Sequence, residues 1–330
     1  MGVVVGYDGS GFALRAVDWA ADEAGLRRRP LTVCHAWQRP AQGSSRGSAR
    51  GPAAGAADDD ALREQAERIA AEGVARARAH FARPVVRADL YEGPAAERLL
   101  ELSGAAELVV VGAHGRRSEA RPVACGRAAA ASGLVAARPE PAAGPVASAG
   151  GAVTLDEAPP FVAGRVVPSV GRLVAARARC PVVIVHGAAQ EHRTGPVAVG
   201  VNGRADIDLV LDFACREAVL RRVPLLAVHA WYRHDEFAGA SPESEPEAVR
   251  AAAEARIARV LAPWRSRYPE MSVRVSAAEG TERQELLEAA LDAALLVVGA
   301  PYARCGSMTA FLLHHSPCPV AIVRTQEVGL

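Results

Sequence analysis

Asp8 is the first residue of this chain placed where a carboxylate could do chemistry. It belongs to Val3-Val4-Val5-Gly6-Tyr7-Asp8-Gly9-Ser10. Three β-branched residues in a row read as a strand buried on both faces. The strand ends in a tight turn that feeds an apolar-periodic helix. In an open α/β sheet, ligands sit outside the C-terminal ends of the strands, which makes Asp8, Gly9 and Ser10 candidate site residues. The plainer reading is a helix cap and a turn, because Asp and Ser cap helices and glycine permits the turn. On this stretch alone both readings stand.

Other catalytic constellations are absent. There is no G-x-S-x-G elbow, no H-E-x-x-H and no G-x-x-x-x-G-K-[ST] in the sequence. Every basic residue is arginine, so a lysine-dependent phosphoryl transfer or Schiff-base mechanism is excluded. His35 and His229 each end an apolar run with no partner at metal-ligand spacing, and the expectation is a packed, hydrogen-bonded ring. His314-His315 are expected to act as cations at a helix C-terminus rather than as metal ligands. Arg27-Arg28-Arg29 reads as a solvated helix end, and Trp37 and Trp231 as packing residues. The six cysteines are scattered without a C-x-x-C pair, which gives zinc or thiol-disulfide chemistry no support. Most lie in or beside apolar runs, where a thiol behaves as a small hydrophobe.

The elements that must position these residues follow from composition and repetition. With 330 residues, 50% hydrophobic and 23% charged, the chain reads as a soluble globular protein of two domains. Lys plus Arg (38) nearly balances Asp plus Glu (37), for a net charge of +1. That balance argues against a nucleic-acid footprint, and 5% aromatics argues against a base-stacking platform. No apolar run approaches the roughly 18 residues of a membrane span. The first residues read as a core strand with no signal peptide before it. Together with the cysteine usage, this predicts a cytoplasmic protein with no membrane partner.

Internal repetition decides the architecture. Val3–Gly9 returns as Val197-Ala198-Val199-Gly200-Val201-Asn202-Gly203, and Leu31–Trp37 returns at the same interval as Leu225–Trp231. Glu92-Gly93 and Leu108–Ala113 recur as Glu279-Gly280 and Leu295–Ala300, and Cys180–Val185 recurs as Cys318–Val323. In the first copy strands are predicted near 3–7, 31–37, 85–90, 107–112 and 181–185, with helices near 11–28, 59–82, 94–105 and 169–179. The second copy gives strands near 196–201, 224–231, 271–277, 295–299 and 319–323, with helices near 205–222, 246–267, 281–293 and 306–315. Strand–helix alternation means right-handed βαβ units. The predicted fold is α/β: two tandem doubly wound domains, each with a five-stranded parallel sheet. The domains are expected at 1–188 and 194–326. The first carries a low-complexity insertion at about 119–166, too poor in apolar periodicity to order itself. Residues 38–57 are expected to form a longer loop than their counterpart 232–245.

The run V-V-V-G-Y-D-G-S, then H-A-W, L-V-V-V-G-A-H-G and R-C-P-V-V-I-V, resembles the universal stress protein family, twice in order. That resemblance implies Rossmann-like domains of the adenine nucleotide alpha hydrolase-like type; many members bind ATP at the strand ends, through G-x2-G-x9-G-(S/T) and an aspartate after the first strand. The resemblance implies an adenine nucleotide site in the first copy, bound non-covalently, with ATP and a magnesium ion as the expected ligands. Asp8 matches the family aspartate and would accept from the ribose or order the magnesium. Gly112 and Gly115 match the paired glycines, with His114 and Arg116 beside them, and Ala36 would lie near the adenine. Glycines and a helix N-terminus make a nest of N–H donors for phosphate. The second half of the motif departs from the pattern: Cys125 falls at the expected glycine and Gly126 one place late. The helix start is better matched by Pro168-Ser169-Val170, where proline removes a donor but Ser169 and Val170 keep theirs.

In the second copy the motif is degenerate. Asn202 replaces the aspartate, Arg204 the serine and Tyr302 the second glycine, and the loop up to Gly306-Ser307 is short. An anion site built on Arg204 or Arg304 is the lesser reading; a partner surface for the first copy is the greater. The two copies would then form an intrachain pseudo-dimer, with Val182–Val185 pairing with Val320–Val323. A further homodimer and a regulatory protein partner are left open by the sequence. The leading functional reading is a non-enzymatic, ATP-binding regulatory module in stress response. Its rivals are a nucleotide-independent interaction scaffold and a slow ATPase resting on Asp8, His114 and Arg116.

Overall fold

The computed structural model describes residues 2–39, 52–80, 85–113, 169–186, 194–201, 207–231, 246–301 and 306–325. The first copy runs β1 (Val3–Gly6), α1 (Gly11–Arg27), β2 (Leu31–Trp37), α2 (Pro52–His80), β3 (Val86–Glu92), α3 (Ala95–Ser103), β4 (Leu108–Gly112), α4 (Val170–Arg177) and β5 (Val182–Val185). The second runs β6 (Val197–Gly200), α5 (Asp208–Arg221), β7 (Leu225–Trp231), α6 (Pro246–Arg267), β8 (Val273–Glu279), α7 (Glu282–Asp292), β9 (Leu295–Pro301), α8 (Ser307–His315) and β10 (Val320–Thr325). The predicted alternation holds in both. The predicted loop over 38–57 is shorter than expected, because α2 already begins at Pro52. The insertion at 119–166 and the loop 232–245 lie outside the described residues.

All ten strands join one sheet in the order β3-β2-β1-β4-β5-β10-β9-β6-β7-β8. Within each half the strands are parallel; β5 and β10 meet antiparallel at the centre. There Val183 faces Ala321, flanked by Val182 opposite Ile322 and Ile184 opposite Val320. Val183 and Ala321 hold the same place in their repeats, so a pseudo-twofold axis passes between them. The expected pairing of Val182–Val185 with Val320–Val323 is therefore the seam of the molecule.

The continuous valine runs are explained by helices on both faces. Val3, Val5, Leu108 and Val110 point into one core, covered by α1, α2, α5 and α6. Val4, Val109, Val111 and Val182 point into the other, covered by α3, α4, α7 and α8. On α1 the buried face is mostly alanine, at positions 13, 16, 20, 21 and 24, which lets the helix lie close to the sheet.

The seam has a second part, and it corrects the reading of Arg27-Arg28-Arg29 as a solvated helix end. The Arg27 side chain is only 11% exposed. It binds Glu23 at 2.5 Å, Glu107 at 2.7 Å and, from the other half, Glu217. Arg221 in turn binds Glu217 and reaches back to Glu23 at 2.6 Å. Glu23 and Arg27 of α1 hold the repeat positions of Glu217 and Arg221 of α5, so the cluster obeys the same pseudo-twofold. The rings follow it too: Arg27 lies over Phe213 at 5.8 Å and Arg221 over Trp19 at 5.6 Å. Arg28 and Arg222 both end their helices in the left-handed region, at φ 54 and 57. Arg28 is exposed as expected, and so is Arg29, which pairs with Glu107 at 3.1 Å.

Candidate functional site

Tyr7 fixes the exit of β1. It is buried, donates its N–H to the Cys34 carbonyl at 2.9 Å, and its carbonyl accepts from His35 Nδ1 at 2.7 Å. Because a carbonyl can only accept, the proton sits on Nδ1. His35 is thus the packed, hydrogen-bonded ring expected, and its bond ends one residue before Asp8. His229 does the same at Val201, 2.7 Å, in the second half. Gly9 then turns the chain with φ +81.

Asp8 is half-buried, and its Oδ1 accepts from the Ser10 N–H at 3.0 Å. Ser10 is 1% exposed, and its Oγ accepts from the Ala13 N–H at 3.1 Å, so its hydroxyl is committed to capping α1. The cap reading holds for Ser10. For Asp8 that bond closes the turn between β1 and α1 and holds the carboxylate at the strand end.

Gly112 ends β4 beside this turn. A Cβ there would come within 2.9 Å of the Phe12 carbonyl carbon and oxygen, so the first turn of α1 leaves no space for a side chain. On the other face, Gly171 in the first turn of α4 lies near Ile184, Val111 and the Gly112 carbonyl, the last 3.9 Å from its would-be Cβ. Ser169 caps α4, accepting from the Arg172 N–H at 3.3 Å, and Val170 is 42% exposed at its start. Two helix N-termini therefore converge on the end of β4, where N–H groups and the helix dipoles favour an anion.

The structure thus brings together Asp8, Gly9, Ser10, Gly112, Ser169 and Val170. Ala36 lies one strand away, half-buried near the end of β2 and opposite Tyr91. His114, Gly115, Arg116, Cys125 and Pro168 lie outside the described residues, as do Asn202, Arg204, Tyr302 and Arg304. No group of three or more His, Cys, Asp or Glu among the described residues could hold a metal. The described helices include none long and apolar enough to cross a membrane.

Sequence reasoning missed a charged group beside the site. Asp89 of β3 receives two hydrogen bonds from Arg98 of α3, at 2.7 and 2.9 Å, and Arg98 also reaches Glu101 at 3.0 Å. Hydrogen bonding to Arg98 holds the Asp89 carboxyl below its usual range against the cost of burial. Cys34, opposite Asp89 in the sheet, is pushed up to about 12 by burial and then by the Asp89 charge. Such a thiol is inert.

The second half holds an open cavity of about 330 Å³ at the matching strand ends. Gly299 and Ala230 in its lining are the repeat counterparts of Gly112 and Ala36. Its walls also include Glu282 and Glu285 of α7 and the start of α8 at Ser307. Where the second half has Glu282 and Glu285, the first has Ala95 and Arg98. The Glu-Gly repeat that opens this segment in both copies was the signal, followed five residues further.

The sequence profile of the universal stress protein family matches residues 1–131 and 194–324. A universal stress protein of Mycobacterium tuberculosis is 28% identical over 335 residues, covering 98% of this chain and 97% of its own. A second from the same organism is 28% identical over 310 residues, covering 91% and 86%. Among solved structures, a universal stress protein from Archaeoglobus fulgidus superposes with a TM-score of 0.62 at 14% identity, covering 99% of this chain and 97% of that one. At that identity the likeness speaks to the fold.

Proposed function

The chain belongs to the universal stress protein family, and on that premise we propose that it is a non-catalytic regulatory module binding ATP in its first half. One observation carries the reading: the first turns of α1 and α4 meet at the end of β4, around a glycine that can bear no side chain. A β-carbon-free strand end between two helix N-termini is a cradle for phosphate oxygens. It needs no lysine, and the chain has none.

The division of labour follows from position. The N–H groups at the starts of α1 and α4 receive phosphate oxygens. Asp8, held half-buried at the end of β1, accepts from a ribose hydroxyl or faces a magnesium ion carried in by the phosphates. Ala36, small and near the end of β2, leaves room for a flat base. Ser10 and His35 touch no ligand in this reading; they fix the turn that aims Asp8. Occupancy would bias the segment leaving β4 and so the surface offered to a protein partner.

Isothermal titration of ATP into the purified chain, beside Asp8→Ala and Asp8→Asn, tests this. Asn keeps the oxygen that accepts from Ser10 but removes the charge. Binding by the wild type and loss in both variants is the expected result. Equal binding by all three removes Asp8 from the site. No binding by any leaves a nucleotide-independent interaction scaffold.

A further inference from the structure

The cavity of the second half is not a faded copy of the first site; at the repeat position of Arg98 its wall carries a carboxylate. In the first half Arg98 is neutralised by Asp89 and Glu101. In the second half these three repeat positions are Glu285, Ser276 and Glu288. The arginine has become an acid and the acid it bound has become a serine. Among the described residues no arginine pairs with Glu282, Glu285 or Glu288.

Glu285 and Glu288 lie three residues apart on one helix face, where like charges destabilise. Burial first, and then the Glu288 charge, raises the Glu285 carboxyl above its ordinary value. A polyphosphate would meet two carboxylates, Glu282 and Glu285, in the wall of this cavity.

The rest of the lining completes a dipolar pocket. Glu282 and Glu285 form one wall and the start of α8 another; Val201, Val228 and Leu286 supply apolar surface between. Gly306 gives α8 no side-chain cap, unlike Ser10, Ser169 and Thr281 at their helices. The first-turn N–H groups of α8 therefore keep their capacity for an incoming oxygen anion. At about 330 Å³ the cavity is at the small end of ligand sites, roughly 300–1,000 Å³. That size suits an amino acid better than a nucleoside triphosphate.

We propose that the second half binds a small zwitterion, its guanidinium or ammonium head on Glu282 and Glu285 and its carboxylate at the N-terminus of α8. This site is independent of the nucleotide reading of the first half.

The probe is L-arginine, titrated calorimetrically into the full chain beside L-citrulline, whose urea is a neutral copy of the guanidinium, and agmatine, which lacks the carboxylate. L-Arginine is expected to bind. Citrulline, agmatine and arginine against Glu285→Gln should each be weaker by at least about tenfold, the scale of one charged hydrogen bond. Glu282→Gln should weaken it too, and Asp8→Asn should not. Glu285→Gln relieves a like-charge pair, so a thermal midpoint no lower than wild type shows that lost binding is not lost folding. No heat from L-arginine at millimolar concentration overturns the proposal. So does equal binding of arginine and citrulline, or displacement of arginine by ATP. Arginine binding without ATP binding would remove the nucleotide reading alone; the reverse would remove only this one.

Discussion

Replacing Arg221 with methionine probes how the two halves are held together. Arg221 is 9% exposed, and the two carboxylates it binds are each 1% exposed. Methionine keeps much of the buried stem and removes the charge. Arg27 is then left to serve both Glu23 and Glu217, and one buried carboxylate loses its partner. Breaking a desolvated pair in this way costs about 3–5 kcal/mol, a large share of the roughly 5–15 kcal/mol that a domain has. Burial and the nearby Glu23 charge already lift the Glu217 carboxyl to about 7, against the pull of Arg221 and Arg27. Without Arg221 the carboxyl rises further, so the variant should recover part of its loss on acidification, as Glu217 takes up a proton and buries no charge. Urea denaturation followed by circular dichroism at two pH values measures both effects. Converting all four residues (Glu23, Arg27, Glu217 and Arg221) to methionine should be far milder than the single change, because paired charges and apolar replacements nearly balance. A loss under about 1 kcal/mol in Arg221→Met, or a quadruple variant weaker than the single one, would show that the cluster is not desolvated and refute the reasoning.

Gly112→Val forces a side chain against the Phe12 backbone; it should cost about 1–3 kcal/mol and abolish ATP binding, read by denaturation and calorimetry. His35→Phe removes the bond to the Tyr7 carbonyl and should weaken ATP, while His229→Phe, the same change in the other half, should leave ATP binding untouched. Burial pushes the Cys34, Cys180 and Cys215 thiols up to about 12 and Cys318 to about 11. Iodoacetamide at neutral pH should therefore spare all four until urea is added, as peptide mass mapping will show. Since the unfolded thiols titrate near 9.0, the stability they contribute is whole below that pH and is lost as pH rises toward 11–12. The urea midpoint should fall across that window.

Most of the scaffold was legible because strands buried on both faces leave a signature that survives duplication. Val3-Val4-Val5 and Leu108–Val111 are apolar at every position because each face has its own core. Seeing the run twice, in order, marked two parallel βαβ halves, and the β5–β10 seam followed from the family resemblance, which implied pairing of the last strands. Arg27 was not legible. Within its own segment it sits among charged residues at a helix end, and its desolvation comes from a helix almost two hundred residues further on. The available signal was the return of the Glu23/Arg27 pair as Glu217/Arg221, an i,i+4 pair kept in both copies. The strand-end turn at Asp8 was legible as a turn, and the structure shows both residues in it, with Asp8 accepting from the Ser10 N–H and Ser10 capping α1.

The same repeat explains why the sites diverge while the frame does not. Val183 and Ala321 lie on the pseudo-twofold and Glu23, Arg27, Glu217 and Arg221 around it; a change at any of them disturbs a contact that both halves share. Strand-end residues have no such bond to their repeat partners. Arg98 can become Glu285, and Asp89 can become Ser276, with the sheet register on either side intact. A tandem chain that keeps its seam can therefore carry two unlike strand ends on one sheet. One is walled by helix N-termini around a bare glycine, the other by carboxylates facing an uncapped helix. Symmetry is enforced only where the halves touch, and chemistry is free to differ where they do not.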